Sequence, residues 1–228
     1  MSARVAGVVF DLDGTLVDSC ADIAAAANHC LRAAGLPERS LEEVRSFIGD
    51  GSKILLQRAG DIGPEDHRLQ PMLEEFFDFY SAHAVERTRL LPGALEALAS
   101  VAEGWPLALC TNKPAATTRI VLERLRLRPF FSAVVASGDA EFNKPHAAPL
   151  ELVAARMQVA AGELVMVGDG PQDVGAARAV GARSIGLLDD VFGHLAALQA
   201  SKPDVLARLV DVPRVVGELS GGAAPTLD

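Results

Sequence analysis

Short runs of apolar residues alternate with amphipathic segments along most of the chain. The runs are VAGVVF (5–10), PLALC (106–110), SAVVAS (132–137), ELVMVG (163–168) and RSIGLL (183–188). Continuous apolar runs of this length are typical of strands that are buried on both faces. Segments with helical spacing lie between them, at 94–102, 115–125, 149–157 and 172–180. This alternation predicts an α/β fold with a doubly wound parallel sheet.

The alternation is interrupted after the first run, since no strand-like run occurs from about residue 17 to residue 88. Residues 20–34, 54–60 and 65–87 have helical spacing instead. We therefore predict an all-helical cap domain at 17–87, inserted into a core domain formed by residues 1–16 and 88–228. Insertions of this kind often form lids over a site. Residues 220–228 are small and polar, and we expect them to fray.

Composition narrows the class of protein. The chain has 228 residues, of which 50% are hydrophobic and 22% charged, which excludes a disordered chain. The net charge of −9 argues against nucleic acid or an anionic membrane as a partner. No apolar stretch reaches the ~20 residues of a membrane span. Cys20, Cys30 and Cys110 are too scattered for a disulfide framework or a thiolate zinc site, so the expected location is the cytoplasm.

Oxygen-bearing side chains follow several of the predicted strands. Asp11 and Asp13 follow the first run, Thr111 follows the second, and Asp169 follows ELVMVG, with Asp173 one helical turn later. Ligands of a parallel sheet bind beyond the carboxyl ends of its strands, so these groups should meet in one crevice. Each residue taken singly is more common as a helix cap or surface group. Their placement at successive strand ends is what indicates a site.

Several carboxylates that face one another need a cation between them. Mg²⁺ prefers oxygen ligands and often keeps a substrate phosphate, whereas Zn²⁺ prefers His or Cys, and neither is placed here. A bound cation favours a phosphate group, with Lys144 as the balancing charge. Thr111, Asn112 and the backbone amides near Gly14 are candidate donors to phosphoryl oxygens.

Four ordered motifs resemble those of a known family. FDLDGTLVDS (10–19), LCTNKP (109–114), NKPHAAP (143–149) and VGDGPQDVGAARAVG (167–181) resemble the four motifs of the haloacid dehalogenase-like hydrolase superfamily. The resemblance spans about residues 5–188 and implies a Rossmann-like core, with the helical insertion as the cap. Within the superfamily the chain looks most like the phosphoglycolate phosphatases, on these motifs and on the cap segment FIGDGSKILLQRA (47–59).

The resemblance implies a role for each site residue. Asp11 is the nucleophile that forms an aspartyl-phosphate, and Asp13 is the general acid and then the general base. The Asp11 carboxylate, the Asp13 main-chain carbonyl and Asp169 hold Mg²⁺, and Asp173 sits beside the metal. The remaining motif residues hold the phosphoryl group or steady the nucleophile loop; they are Thr111, Lys144, Asn112 and Thr15.

The resemblance also makes a loop of the cap the expected contact for the leaving group. Its residues are Gly49, Asp50, Gly51, Ser52 and Lys53. The same residues are equally consistent with a plain helix N-terminus that is capped by Asp50 or Ser52.

The implied activity is that of a Mg²⁺-dependent phosphomonoester hydrolase acting on a small soluble substrate, 2-phosphoglycolate, as a monomer or a homodimer. A sugar-phosphate phosphatase or phosphomutase uses the same motifs and stays open as an alternative. A phosphonoacetaldehyde hydrolase would need a cap lysine, for which Lys53 is the candidate, and a pyrophosphatase is a further alternative. A non-enzymatic binding protein is disfavoured, because it needs no nucleophile with its own acid.

Overall fold

The computed structural model describes residues 5–221. Its strands are β1 (Gly7–Phe10), β2 (Val17–Asp18), β3 (Arg89–Leu90), β4 (Leu107–Pro114), β5 (Phe131–Ser137), β6 (Leu164–Gly168), β7 (Arg183–Leu187) and β8 (Val205–Ala207). Its α-helices are α1 (Cys20–Ala33), α2 (Leu41–Phe47), α3 (Ser52–Gly60), α4 (Leu69–His83), α5 (Ala94–Ala102), α6 (Ala115–Arg124), α7 (Ala148–Met157), α8 (Pro171–Ala179), α9 (Leu195–Ala200) and α10 (Val212–Leu219). Of the end that we expect to fray, residues 222–228 lie outside this range.

Six of the strands form one parallel sheet, in the order β5-β4-β1-β6-β7-β8. The chain moves outward from β1 to β5, then crosses to β6 on the other side of β1 and continues to β8. The predicted doubly wound parallel sheet is therefore confirmed. The sheet reverses its winding at β1, and its carboxyl edge there is the expected ligand crevice.

The sheet is buried on both faces because alternate strand residues point to opposite sides. Val9, Ala108 and Met166 belong to a core shared with α7 and α8. Phe10 and Leu109 lie on the opposite face, in a larger core that includes α5, α6 and the cap helices. This double burial explains why the strands read as unbroken apolar runs.

The cap is a helical insertion, as expected, with one exception. Its first two residues form β2, which pairs antiparallel with β3 on the return of the chain to the core. Asp22 of α1 also holds the returning segment: it accepts bonds from the backbone N–H groups of Arg87 (3.0 Å to each carboxylate oxygen) and Thr88 (2.8 Å), and from the Thr88 hydroxyl (2.8 Å). The two chain crossings between cap and core are thereby fastened together.

The last cap helix is shorter than the predicted 65–87. It begins at Leu69 and ends at His83. Proline is tolerated in the first turn of a helix and disrupts it further along, and Pro71 is the third residue of α4. Residues 65–68 precede the helix as a turn, in which Asp66 accepts bonds from the backbone and side chain of Arg68.

The three cysteines are free, buried thiols. Burial raises the pKa of the Cys30 and Cys110 thiols to about 12, and it also raises the pKa of Cys20. Within residues 5–221, the helices are too short or too polar to cross a lipid bilayer.

Candidate active site

The carboxyl ends of three adjacent strands bring the predicted motif residues together. β1 lies between β4 and β6, so Asp11 at the end of β1 has Thr111 of β4 on one side and Asp169 after β6 on the other. All three side chains are buried, with 4–5% exposure. The crevice of the sheet is therefore a cluster of oxygen-bearing groups that are shielded from water.

Asp11, Asp169 and Asp173 each offer one carboxylate oxygen, and these oxygens lie within 4.8 Å of one another. Burial raises the pKa of Asp11 to about 6, although Lys144 opposes the shift. Burial, together with the charges of Asp11 and Asp173, also raises the pKa of Asp169 well above its ordinary value. Little positive charge thus offsets the negative charge of the buried Asp169 carboxylate. A divalent cation bound there would supply that positive charge. The all-oxygen donor set fits Mg²⁺ better than Zn²⁺.

Lys144 supplies the positive charge inside this cluster. Its ammonium donates to Asp11 Oδ1 (2.9 Å), to Asp173 Oδ1 (2.6 Å) and to the Cys110 carbonyl (2.6 Å), which accounts for its three N–H donors. Burial disfavours the charged amine, but the charges of Asp11 and Asp173 outweigh burial and raise the pKa of Lys144. Lys144 is therefore a permanent cation beside Asp11.

The Asn112 side chain holds the Lys144 loop and the cap at once. Its amide donates to the Lys144 carbonyl and to the Gly49 carbonyl of the cap, both at 3.0 Å, and its oxygen accepts from the Lys144 backbone N–H at 2.9 Å. Both side-chain N–H groups are thereby engaged. Asn112 therefore holds the Lys144 loop and the cap in place. It also lines the cleft, and its contact with a phosphate stays a prediction.

The turn after β1 fits closely against Asp169. Gly14 has φ of +83°, and a Cβ atom there would lie 2.2 Å from Asp169 Oδ2. Thr15 donates its hydroxyl to Asp169 Oδ1 at 3.2 Å. The loop after β1 and the metal-ligand candidate Asp169 are thus packed as one unit, which requires glycine at position 14.

Asp13 lies apart from the cluster, half-buried and facing the cap. Its carboxylate accepts a bond from the Ser19 hydroxyl (2.6 Å) and from the Lys113 ammonium (3.0 and 3.1 Å). Lys113 in turn donates to the Tyr80 hydroxyl of α4 at 2.7 Å. Sequence reasoning did not single out Ser19, Lys113 or Tyr80. Lys113 stands in the LCTNKP motif directly after two candidate residues, which was the available signal.

A cleft between core and cap opens onto these groups. Its core side is formed by Asp11, Asp13, Thr111, Asn112, Lys113 and Pro114. Its cap side is formed by Ile23, Ile48, Gly49, Gly51, Ser52, Leu55, Phe76 and Tyr80. The core side of the cleft is its polar floor, and the cap side is mainly apolar. The apolar groups of the cap would therefore shield a small anionic group at the floor from water.

The cap loop is only partly in the cleft. Gly49, Gly51 and Ser52 line it. Asp50 pairs with Arg58 at 2.7 Å and is not among the lining residues. Lys53 is exposed and lies against a separate surface pocket beside α4. The structure therefore brings three of the five loop residues to the site and leaves Asp50 and Lys53 outside it.

Comparisons with known proteins agree with this architecture. Residues 8–187 match the family described as haloacid dehalogenase-like hydrolase. The phosphoglycolate phosphatase of Shigella boydii is 36% identical over 228 residues, which covers 91% of this chain and 90% of the relative. The enzyme of the same name from Yersinia pseudotuberculosis is 37% identical over 218 residues, covering 93% and 94%. The crystal structure of a predicted phosphoglycolate phosphatase from Haemophilus somnus superposes with a TM-score of 0.83 at 28% identity, covering 93% of this chain and 98% of that one.

Proposed function

Because the chain belongs to the haloacid dehalogenase-like hydrolases, we propose that it is a Mg²⁺-dependent phosphatase that hydrolyses 2-phosphoglycolate through an aspartyl-phosphate on Asp11. The observation that carries the proposal is the separation of two carboxylates on one turn. Both side chains line the cleft, but Asp11 bonds to Lys144 in the buried cluster, whereas Asp13 bonds to Lys113 and Ser19 on the side of the cap. The proposed nucleophile, Asp11, and the proposed acid, Asp13, thus have different hydrogen-bond partners, which allows the two carboxyl groups to take different roles.

The first half of the reaction forms the covalent intermediate. With its pKa raised only to about 6, Asp11 is mostly a carboxylate at neutral pH and is available as a nucleophile. An Asp11 oxygen bonds to phosphorus as the bond from phosphorus to the ester oxygen breaks. Thr111 and Lys144 flank the seat of the phosphoryl group. Asp13 enters this step with a proton on its carboxyl group and donates that proton to the departing oxygen.

The second half releases phosphate. Asp13, now a carboxylate, takes a proton from a water molecule as that water attacks phosphorus, and the bond from phosphorus to Asp11 breaks. Phosphate leaves and Asp11 is restored. Mg²⁺, when bound by Asp11, Asp169 and the Asp13 carbonyl, supplies positive charge that offsets the repulsion between a phosphate dianion and a carboxylate.

The substrate is proposed from the cleft and from the relatives. The cap covers the floor of the site with apolar groups, which suits a small ester and leaves little room for a polymer. The two curated relatives described above are named phosphoglycolate phosphatases. The exposed position of Lys53 speaks against the phosphonoacetaldehyde hydrolase alternative, since a Schiff-base lysine must reach the cleft.

Trapping the intermediate tests the mechanism. The protein is incubated with 2-phosphoglycolate and Mg²⁺, quenched in acid and reduced with borohydride, which converts an aspartyl-phosphate to homoserine. Mass spectrometry should locate the reduced residue at position 11. Asp11→Asn should give no product and lose at least ~10³-fold in kcat. Turnover retained in Asp11→Asn, or a reduced residue at another position, would contradict the assignment.

A substrate panel tests the specificity. The kcat/KM for 2-phosphoglycolate should exceed those for hexose phosphates, nucleotides and pyrophosphate. EDTA should stop the reaction and Mg²⁺ should restore it. A hexose phosphate or pyrophosphate as the preferred substrate would favour one of the alternative activities on the same motifs.

A further inference from the structure

Lys113 is a buried cation on the leaving-group side of the site. Its side chain is 3% exposed, and its ammonium contacts three oxygen atoms: both carboxylate oxygens of Asp13 and the hydroxyl of Tyr80. The ammonium lies 4.7 Å from the centre of the Tyr80 ring, beyond its hydroxyl edge. Lys113 is held by β4 of the core, and Tyr80 comes from α4 of the cap.

The two site lysines differ in what they can offer a substrate. Lys144 bonds to Asp11, Asp173 and a backbone carbonyl deep in the cluster. Lys113 lines the cleft itself, and it is the only cationic residue of the described range that does so. Any second negative charge on a substrate would therefore meet Lys113.

A second negative charge would otherwise be repelled. The floor of the cleft carries the Asp11 carboxylate and the Asp13 carboxyl group, and the cap side offers mainly apolar groups. A substrate carboxylate placed there would lose its water and face the negative charge of Asp11. Lys113 can satisfy it by turning from Asp13 toward the substrate, because Ser19 still holds Asp13 at 2.6 Å.

We infer that Lys113, held from the cap by Tyr80, is the specificity residue that selects phosphate esters whose leaving group carries a carboxylate. The inference rests on the proposed function and adds the residue that recognises the far end of the ester. Tyr80 accepts a bond from Lys113, so its own O–H hydrogen is left to donate to the same carboxylate. When the cap is docked on the core, Tyr80 lies beside Lys113, and the two residues together form the binding site for the substrate carboxylate.

Two esters of equal chain length separate this role from a purely positioning one. 2-Phosphoglycolate ends in a carboxylate, and 2-hydroxyethyl phosphate ends in a neutral alcohol. In both esters the departing oxygen is that of an aliphatic alcohol, so both need Asp13 as the acid. If Lys113 only positioned Asp13, its loss would slow both reactions equally. If Lys113 binds the carboxylate, its loss would fall mainly on 2-phosphoglycolate.

The experiment compares steady-state kinetics of the Mg²⁺-loaded wild type, Lys113→Met, Lys113→Arg and Tyr80→Phe on the two esters. Lys113→Met should lower kcat/KM for 2-phosphoglycolate roughly 10- to 100-fold more than for 2-hydroxyethyl phosphate, mainly through KM. Lys113→Arg should restore part of the preference, and Tyr80→Phe should raise the KM for 2-phosphoglycolate more than the KM for 2-hydroxyethyl phosphate. Lys202→Met, which removes an exposed lysine of the core, is the matched control and should change neither substrate.

Each other outcome has a defined meaning. Equal losses on the two esters, or a preference that Lys113→Met leaves unchanged, would overturn the inference and leave the proposed function standing. A wild type that cleaves neither ester would overturn the proposed function and this inference with it. If circular dichroism shows that Lys113→Met is unfolded, Lys113→Arg and Tyr80→Phe decide: an unchanged preference in both overturns the inference.

Discussion

The role of a single residue in this site depends on the atoms that surround it, and not only on its residue type. Asp11 and Asp13 are two positions apart and chemically identical, yet Asp11 lies in a buried cluster with Lys144, and Asp13 bonds to Lys113 on the side of the cap. Gly14, between Asp13 and Thr15, is needed because Asp169 occupies the space that a side chain would take. The roles of the residues in the turn after β1 therefore depend on their contacts with Lys113 of β4 and with Asp169, which follows β6.

Gly14→Ala tests this close fit. The added Cβ would lie 2.2 Å from Asp169 Oδ2, so Asp169 must move. We expect kcat to fall at least ~100-fold, with a loss of about 1–3 kcal/mol in the free energy of unfolding from the positive φ and the clash. Gly35→Ala is the control, since Gly35 also has positive φ (+68°) but its Cβ would meet nothing within 4 Å. It should cost about 1–2 kcal/mol and leave kcat unchanged. Equal kcat in the two variants would contradict the fit.

At the scale of elements, the cap and core are joined by a small number of backbone bonds. β2 and β3 pair over two residues each. Asp22 of α1 adds the bonds to the N–H groups of Arg87 and Thr88. These contacts tie the start of the insertion to its end.

Asp22→Ala should therefore loosen the cap. The substitution leaves buried backbone donors without an acceptor, which should lower the free energy of unfolding by about 2–4 kcal/mol. Asp22→Asn keeps one acceptor oxygen and should lose less. Urea unfolding measures both values, and limited proteolysis should cut Asp22→Ala faster within 84–88 than the wild type. Identical proteolysis of both variants would show that the segment is held by other contacts.

The sequence predicts those elements that have a continuous apolar run or several turns of helical spacing. The five predicted strands match β1, β4, β5, β6 and β7 to within a few residues, and four core helices match equally well. The two-residue strands β2 and β3 and the three-residue edge strand β8 are too short to show a period. Helix α2 was missed although Ser40 and Glu43 form a capping box, a local signal that was present in the sequence.

The candidate site was predictable only as far as strand order allowed. Residues at the ends of β1, β4 and β6 could be grouped from the general rule for parallel sheets. The bonds from Asn112 to Gly49 and from Lys113 to Tyr80 join positions that are 63 and 33 residues apart. Such contacts depend on how the cap docks, and no local pattern encodes that docking.

At the scale of the whole molecule, the buried carboxylates of the site lower the free energy of unfolding at neutral pH. Asp11, Asp169 and Asp173 gather in a buried position, where the Lys144 ammonium contacts Asp11 and Asp173 but makes no bond to Asp169. A carboxyl group whose pKa is higher in the folded than in the unfolded chain binds protons preferentially when folded, so its contribution to stability falls as the pH rises through that range. For Asp11 the range runs from 3.8 to about 6, and Asp169 shifts in the same direction.

Asp169→Asn should therefore stabilise the metal-free protein while abolishing turnover. In EDTA, the variant should be more stable than wild type at pH 7, and the difference should shrink as the pH falls and Asp169 of the wild type takes up a proton. Mg²⁺ should raise the Tm of the wild type and have a smaller effect on Asp169→Asn. Asp78→Asn, at an exposed position of α4, is the control and should change neither value. A variant less stable than wild type at pH 7 in EDTA would contradict the sign.

The burial of all three thiols has a practical consequence for following the motions of this molecule. Cys20 and Cys30 lie on the first helix of the cap, and Cys110 lies on β4 of the sheet, where its carbonyl accepts a bond from Lys144. An alkylating reagent finds no accessible sulfur in the native fold, so every labelling event reports a transient opening. The order in which the three sulfurs are labelled would record whether cap and sheet open together or one after the other, with no probe added to the chain.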